Sequence, residues 1–223
     1  MATDKIQELT KDNHKSGSTF YPWLVVGLLS VVAMLNYLDR QILSVMQGAI
    51  QADIVELQKS EAFGALMAIF LYIYGAVSPF AGSVADRVNR KWVIVGSLLV
   101  WSAVTYGMGL ATTFSQLMWL RGIMGVSEAL YIPAALALIA DYHQDKTRSL
   151  AIGIHMTGLY LGQALGGFGA PIAEKISWHT TFHWFGIIGI AYGVILMIFL
   201  RDRRPHTQAK ELINVPKNDK IPY

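Results

Sequence analysis

Two runs of the 223-residue chain, Val93 to Ala111 and Phe182 to Leu200, contain no Asp, Glu, Lys or Arg. Each is long enough to cross the hydrocarbon core of a bilayer as a helix, which needs about 20 apolar residues. In lipid every backbone N–H and C=O must be satisfied within the segment, so a helix is the form these runs must take. Composition agrees: 53% of residues are hydrophobic and only 15% charged, against about 25% charged in an average soluble domain. This excludes a soluble enzyme and a disordered protein. With no cysteine, disulfide scaffolds and thiolate chemistry are excluded as well.

Hydropathy predicts six membrane-spanning helices, over about 21–46, 62–81, 92–112, 117–140, 149–172 and 182–200. The expected organisation is a cytoplasmic N-terminal tail over 1–20, a six-helix transmembrane domain over 21–200, and a flexible cytoplasmic tail or linker over 201–223. The first residues are polar and mixed in charge, unlike a secretory signal. The last 23 contain Pro, charge and no apolar face. Basic residues gather in cytoplasmic loops. Placing the N-terminus inside puts fourteen of the 18 Lys and Arg on that side and only Lys59 and Lys175 on the other, while Arg40 and Arg121 lie within spans. The formal charge of +3 thus reflects topology, and no nucleic-acid partner is expected. Gly158, Gly162 and Gly166 recur every fourth residue in the fifth span, a spacing that lets two helix backbones approach closely. Pro79 and Pro133 are expected to kink the second and fourth spans.

Four charged residues interrupt these apolar segments: Asp39, Arg40, Arg121 and Glu128. A charge at the bilayer centre costs at least ~2.5–3.5 kcal/mol, so such residues face a cavity or one another. Arg121, Gly125 and Glu128 stand at i, i+4 and i+7 on one helix face, as do Asn36 and Arg40 at i and i+4. Counting from the span ends, all four charges fall in the outer half of the membrane. Two readings stand side by side. Asp39–Arg40 and Arg121–Glu128 are structural ion pairs, with Arg121 also near enough to a span end to snorkel. Alternatively the four form an anion site coupled to protons. The second is favoured by chemistry, since arginine stays charged and grips an anion bidentately, and a desolvated carboxyl exchanges protons near neutrality. Tyr37, Tyr72, Tyr74, Tyr131, Tyr160, Gln163 and His155 accompany them, His155 as a packed or gate residue rather than a relay. No metal-binding or cofactor motif is present, nor H-E-x-x-H, G-x-S-x-G or a P-loop. No cofactor and no enzymatic activity are expected.

Three motifs carry a resemblance. The turn Gly82-Ser-Val-Ala-Asp86-Arg87-Val-Asn89-Arg90-Lys91 resembles the major facilitator superfamily signature G-x-x-x-D-[RK]-x-G-[RK]-[RK] between spans two and three. Asn89 replaces its glycine, and Asn tolerates a left-handed backbone better than most residues; Asp86 is a candidate helix cap or partner for a base. Arg121-x-x-x-Gly125-x-x-x-Ala129 resembles the fourth-span pattern of that family. Asn36-Tyr37-Leu38-Asp39-Arg40 resembles the N-Y-x-D-R of its anion:cation symporter branch, which includes hexuronate, galactonate and sialin-like transporters.

The resemblance implies one six-helix half of a twelve-span fold, itself a 3+3 inverted repeat. It implies proton-coupled symport of a small organic anion such as a sugar acid, across a cell (inner) membrane with both termini cytoplasmic. It implies that Arg40 binds the substrate carboxylate, with Asn36, Tyr37 and Tyr74 lining the site. Asp39, Glu128 and Arg121 would couple protons, and Gly82, Asp86, Arg87, Arg90 and Lys91 would form a cytoplasmic gate. The expected partners are the bilayer, the anion, protons and a second six-helix half. The alternative is a truncated, non-transporting helix bundle or interaction protein.

Overall fold

The computed structural model describes residues 20–143 and 145–202. The expected tails over 1–20 and 201–223 lie almost wholly outside them. The described residues form helices and turns with no strand.

Six long helices run antiparallel in turn: span one Phe20–Val45, span two Ser60–Arg87, span three Arg90–Met108, span four Phe114–Ala129 continued by Tyr131–Tyr142, span five Arg148–Gly166 and span six Trp178–Phe199. All but span five are long and apolar enough to cross a membrane by themselves. Span five carries His155, Gln163 and four glycines among its apolar residues and packs one face along span one. Short helices at Gln47–Asp53 and Gly169–Ile176 fill the loops.

One boundary departs from expectation for a local reason, and the two prolines act differently. Span five stops at Gly166 rather than near 172, because Gly166, Gly167 and Gly169 cluster where the helix is already weak. Span four is interrupted at Leu130, four residues before the first turn of its inner segment closes. Pro133 has no N–H to offer the Ala129 carbonyl, which accounts for the interruption there. Span two, in contrast, passes Pro79 as one helix. The hydroxyl of Ser78 donates to the Tyr74 carbonyl at 2.6 Å in that same turn.

The helices pack in pairs: span one on span five, span two on span four, span three on span six. A two-fold axis that exchanges spans 1-2-3 with spans 4-5-6 carries the first pair onto the second and the third onto itself. The pairing is that of a 3+3 inverted repeat. Span five approaches span one most closely at Gly158 and Gly162, where an added Cβ would run into the carbonyl groups of Ser30 and Met34. The core between the pairs is filled by Trp101, Tyr131, Phe182, Leu29 and Ile42, all fully buried.

The two ends of the bundle differ in chemistry. At one end, Tyr21 and Tyr142 donate their hydroxyls to the carbonyls of Phe199 (2.8 Å) and Arg201 (3.1 Å), and Lys91 Nζ donates to that of Met197 (2.7 Å). Cations and donors here satisfy the free carbonyls at the C-terminus of span six. At the other end, the Trp178 indole N–H donates to Asp53 at 2.8 Å and the Phe114 N–H to Glu56 at 3.1 Å. The Glu56 carboxylate thereby sits on the N-terminus of span four, where an anion is favoured.

Candidate functional site

Helical geometry brings the membrane charges together, but not in the pairs their spacing suggests. Arg40 of span one donates through Nε to Glu128 of span four at 2.6 Å. Asp39, its chain neighbour, instead accepts from the Thr105 hydroxyl of span three at 3.2 Å. Arg121 is 1% exposed, so it lies within the protein and does not snorkel. Its Nη1 contacts Met124 Sδ at 3.4 Å. Arg121 lies within electrostatic reach of Asp39, Arg40 and Glu128, and Asp39 within reach of Glu128. Glu128 is completely buried. Breaking such a pair by removing one partner costs about 3–5 kcal/mol, because the other charge is left stranded.

Aromatic rings complete the site. The Arg40 guanidinium lies over Tyr74 at 4.6 Å, Tyr37 at 4.9 Å and Phe70 at 5.0 Å. Arg121 lies over Phe70 at 4.4 Å. Such cation–π contacts contribute from about 0.5 to 2 kcal/mol each, the larger value away from water. Asn36 is fully buried on the turn before Arg40. Among the described residues no hydrogen bond of good geometry reaches its side-chain amide, Arg40 Nη2, Arg121 Nε or Glu128 Oε1, although the Asn36 amide faces the Glu128 carboxylate. Buried polar atoms of this kind require water or a ligand. The site is therefore polar, electrically balanced and not internally saturated.

Phe70 and Thr105 were absent from the sequence reading. Phe70 stands one turn before Tyr74, on the same face of span two, which is the signal that connects them. Thr105 belongs to no pattern in span three. His155 is fully buried away from this cluster, with its ring 6.0 Å from Tyr131. Tyr72 and Tyr160 face outward, 75% and 71% exposed. Among the described residues, no group of three His, Asp or Glu is placed to hold a metal ion.

The turn between spans two and three forms a separate cluster at the basic end. Arg90 pairs with Asp141 of span four, donates to the Ala137 carbonyl at 3.3 Å and lies 3.9 Å from Asp86. Its cation thus closes the C-terminus of span four. Lys91 does the same for span six through Met197. Gly82 is half-buried, and Asp86 and Arg87 are exposed. Asn89 corrects the expectation of a left-handed turn: its φ is −59° and its side chain accepts from the Trp92 N–H at 3.3 Å. It is the N-cap of span three, the role for which Asp86 was a candidate.

Comparison with known proteins agrees with this architecture. The family model "Major Facilitator Superfamily" matches residues 29–220. The sphingosine-1-phosphate transporter of Xenopus tropicalis is 30% identical over 178 residues, covering 78% of this chain and 34% of that protein. The 4-hydroxybenzoate transporter PcaK of Pseudomonas putida is 28% identical, covering 81% of this chain and 40% of its own. The chain thus spans about a third of the length of the curated relatives it matches. A crystal structure of a bacterial homologue of the human lysosomal transporter Spinster, inward-facing and unoccupied, superimposes with a TM-score of 0.74 at 27% identity, covering 84% of this chain and 45% of that one. The relatives named for an activity are transporters, not enzymes. The chain is a multi-pass membrane protein that belongs to the Major Facilitator Superfamily.

Proposed function

We propose that the chain forms the N-terminal half of a secondary active transporter, working with a second six-helix half to symport an organic anion with protons. The observation that carries this reading is the Arg40–Glu128 pair, in which Glu128 is fully buried and Arg40 partly exposed, with Asp39 and Arg121 beside it. An anionic substrate competes with Glu128 for the Arg40 guanidinium. A carboxylate that loses its cation away from water is stable only when protonated. Entry of the anion and uptake of a proton are then linked at Glu128. When the anion leaves, Glu128 recaptures Arg40 and the proton is released. Tyr37 and Tyr74, already on Arg40, offer rings and hydroxyls to the body of the substrate.

The N-Y-x-D-R motif favours a sugar acid. The substrates in the relatives' names, sphingosine-1-phosphate and 4-hydroxybenzoate, share with it an anionic group that Arg40 can hold. The basic end of the bundle, with Arg90 and Lys91 capping spans four and six, is the cytoplasmic gate. Both termini lie on that side by the distribution of Lys and Arg, in a cell (inner) membrane.

The test is uptake into proteoliposomes by the protein expressed from its complete reading frame. Galacturonate, 4-hydroxybenzoate and sphingosine-1-phosphate are supplied in turn, with and without an inward proton gradient. Gradient-driven uptake of one of them, lost in Arg40→Gln and Glu128→Gln, is expected. Uptake indifferent to both substitutions, or no uptake of any anion, sinks the proposal and leaves a non-transporting bundle.

A further inference from the structure

We propose that Phe70 is a positioning residue that keeps the two arginines of the site apart, so that only Arg40 makes a direct ion pair with Glu128. Its ring carries both guanidiniums, Arg40 at 5.0 Å and Arg121 at 4.4 Å, and is 2% exposed. The pairing it enforces is otherwise unexpected. Glu128 has a second oxygen, Oε1, that no hydrogen bond of good geometry reaches, and Arg121 has an Nε in the same condition. Both groups are buried, lie on one face of one helix and feel each other's charge. A buried donor and acceptor of opposite charge at such proximity gain by pairing. Arg121 is held over the Phe70 ring instead.

The seat for that ring is made by Gly125, midway between Arg121 and Glu128. A Cβ at Gly125 would stand 2.9 Å from the Phe70 carbonyl oxygen and 3.3 Å from Tyr74 N. The bare glycine therefore lets the backbone of span two reach span four at this level, which places Phe70 against Arg121. The R-x-x-x-G spacing in span four has a local purpose: the arginine supplies the charge and the glycine admits the ring that holds it back.

The functional consequence rests on the proposed symport. If Arg121 took Glu128 whenever a substrate took Arg40, the carboxylate would never be stranded and would need no proton. By holding Arg121 on its ring, Phe70 forces the proton to be the replacement. Loss of the ring then uncouples anion movement from protons without removing any charge.

Two measurements on the full-length protein test this. The first is a thermal-stability cycle combining Phe70→Leu with Arg40→Gln. Arg40→Gln is expected to lower Tm strongly in the Phe70 background. Phe70→Leu should recover at least half of that loss, because Arg121 is then free to take Glu128. Phe70→Tyr keeps the ring and should recover none of it. Additive effects, or equal recovery by Tyr and Leu, overturn the proposal. If Phe70→Leu does not fold, Phe70→Met supplies the same volume without a ring and is judged by the same criterion. The second is proton flux per anion, with the anion identified in the uptake panel. The Leu variant should move anion with a proton ratio reduced at least threefold, and Phe70→Tyr should match the wild type; an unchanged ratio overturns the coupling role. A protein that shows the non-additive cycle but moves no anion refutes the transport reading alone and leaves the separation of the arginines standing.

Discussion

At the scale of single residues, the cost of ionisation away from water did most to expose the site. Asp39, Arg40, Arg121 and Glu128 stood out because few side chains are so expensive within an apolar helix. Their partners did not stand out. Arg40–Glu128 crosses between spans one and four, and no spacing within a helix reveals a contact between helices. Thr105 and Phe70 are ordinary residues for a membrane helix, so nothing in their type marked them. Asn89 misled for the opposite reason: a resemblance to a glycine position suggested a backbone conformation, whereas the side chain is used as a cap. The buried pair supports a prediction about stability separate from transport. Arg40→Met alone should destabilise the protein by about 3–5 kcal/mol, since Glu128 stays buried without its cation. The double variant Arg40→Met/Glu128→Leu should be clearly more stable than the single one and equally inactive. Thermal denaturation in detergent compares them; a double variant no more stable than Arg40→Met would mean that the pair is not the dominant contact of either residue.

At the scale of elements, periodicity located every span, and the ends moved where glycine, proline or a cap intervened. The four-residue glycine spacing of span five was legible as a close approach, and its target proved to be the span-one backbone at Ser30 and Met34. The companion set in span six, Gly186, Gly189 and Gly193, seats that helix on span three in the same way but lacks the regular spacing and was passed over. Gly162→Ala should therefore pry span five from span one, with a loss of Tm well beyond that of Gly153→Ala. At Gly153 an added Cβ meets nothing within 4 Å. Equal effects of the two would show that the stripe does not set the packing. At the start of span three, Asn89→Ala should cost about 0.5–2 kcal/mol through the lost cap, and Asn89→Gly only a few tenths. Since φ is −59°, alanine meets no backbone penalty there. An Ala variant as stable as the Gly variant in denaturation would remove the cap from the account.

At the scale of the whole molecule, the inverted repeat is an expectation of the family resemblance alone, and the pairs 1–5, 2–4 and 3–6 make it visible. What the bundle leaves uncovered is as informative as what it packs. Span two is the least covered of the apolar spans, with 17% of its apolar stretch buried against 44% for span one and 56% for spans three and four. Tyr72 near its middle and Tyr160 near the middle of span five turn their hydroxyls outward. A phenol hydroxyl at the bilayer midplane has no partner in lipid, whereas a tyrosine at the membrane interface has one. Spans two and five are therefore the surface expected to meet the second six-helix half proposed above. Val100 of span three is also exposed, at 45%, but belongs to an all-apolar lateral surface. The 223 residues contain no cysteine, so an introduced cysteine carries the only label within them, and any cysteine of the second half is first replaced by serine. Spin labels at Tyr72→Cys and Tyr160→Cys should be mobile in the 223-residue chain alone and immobilised in the protein expressed from its complete reading frame. A label at Val100→Cys should be mobile in both. Immobilisation at Val100 instead would put the second half against spans three and four, and would require the charged site to open in a different direction.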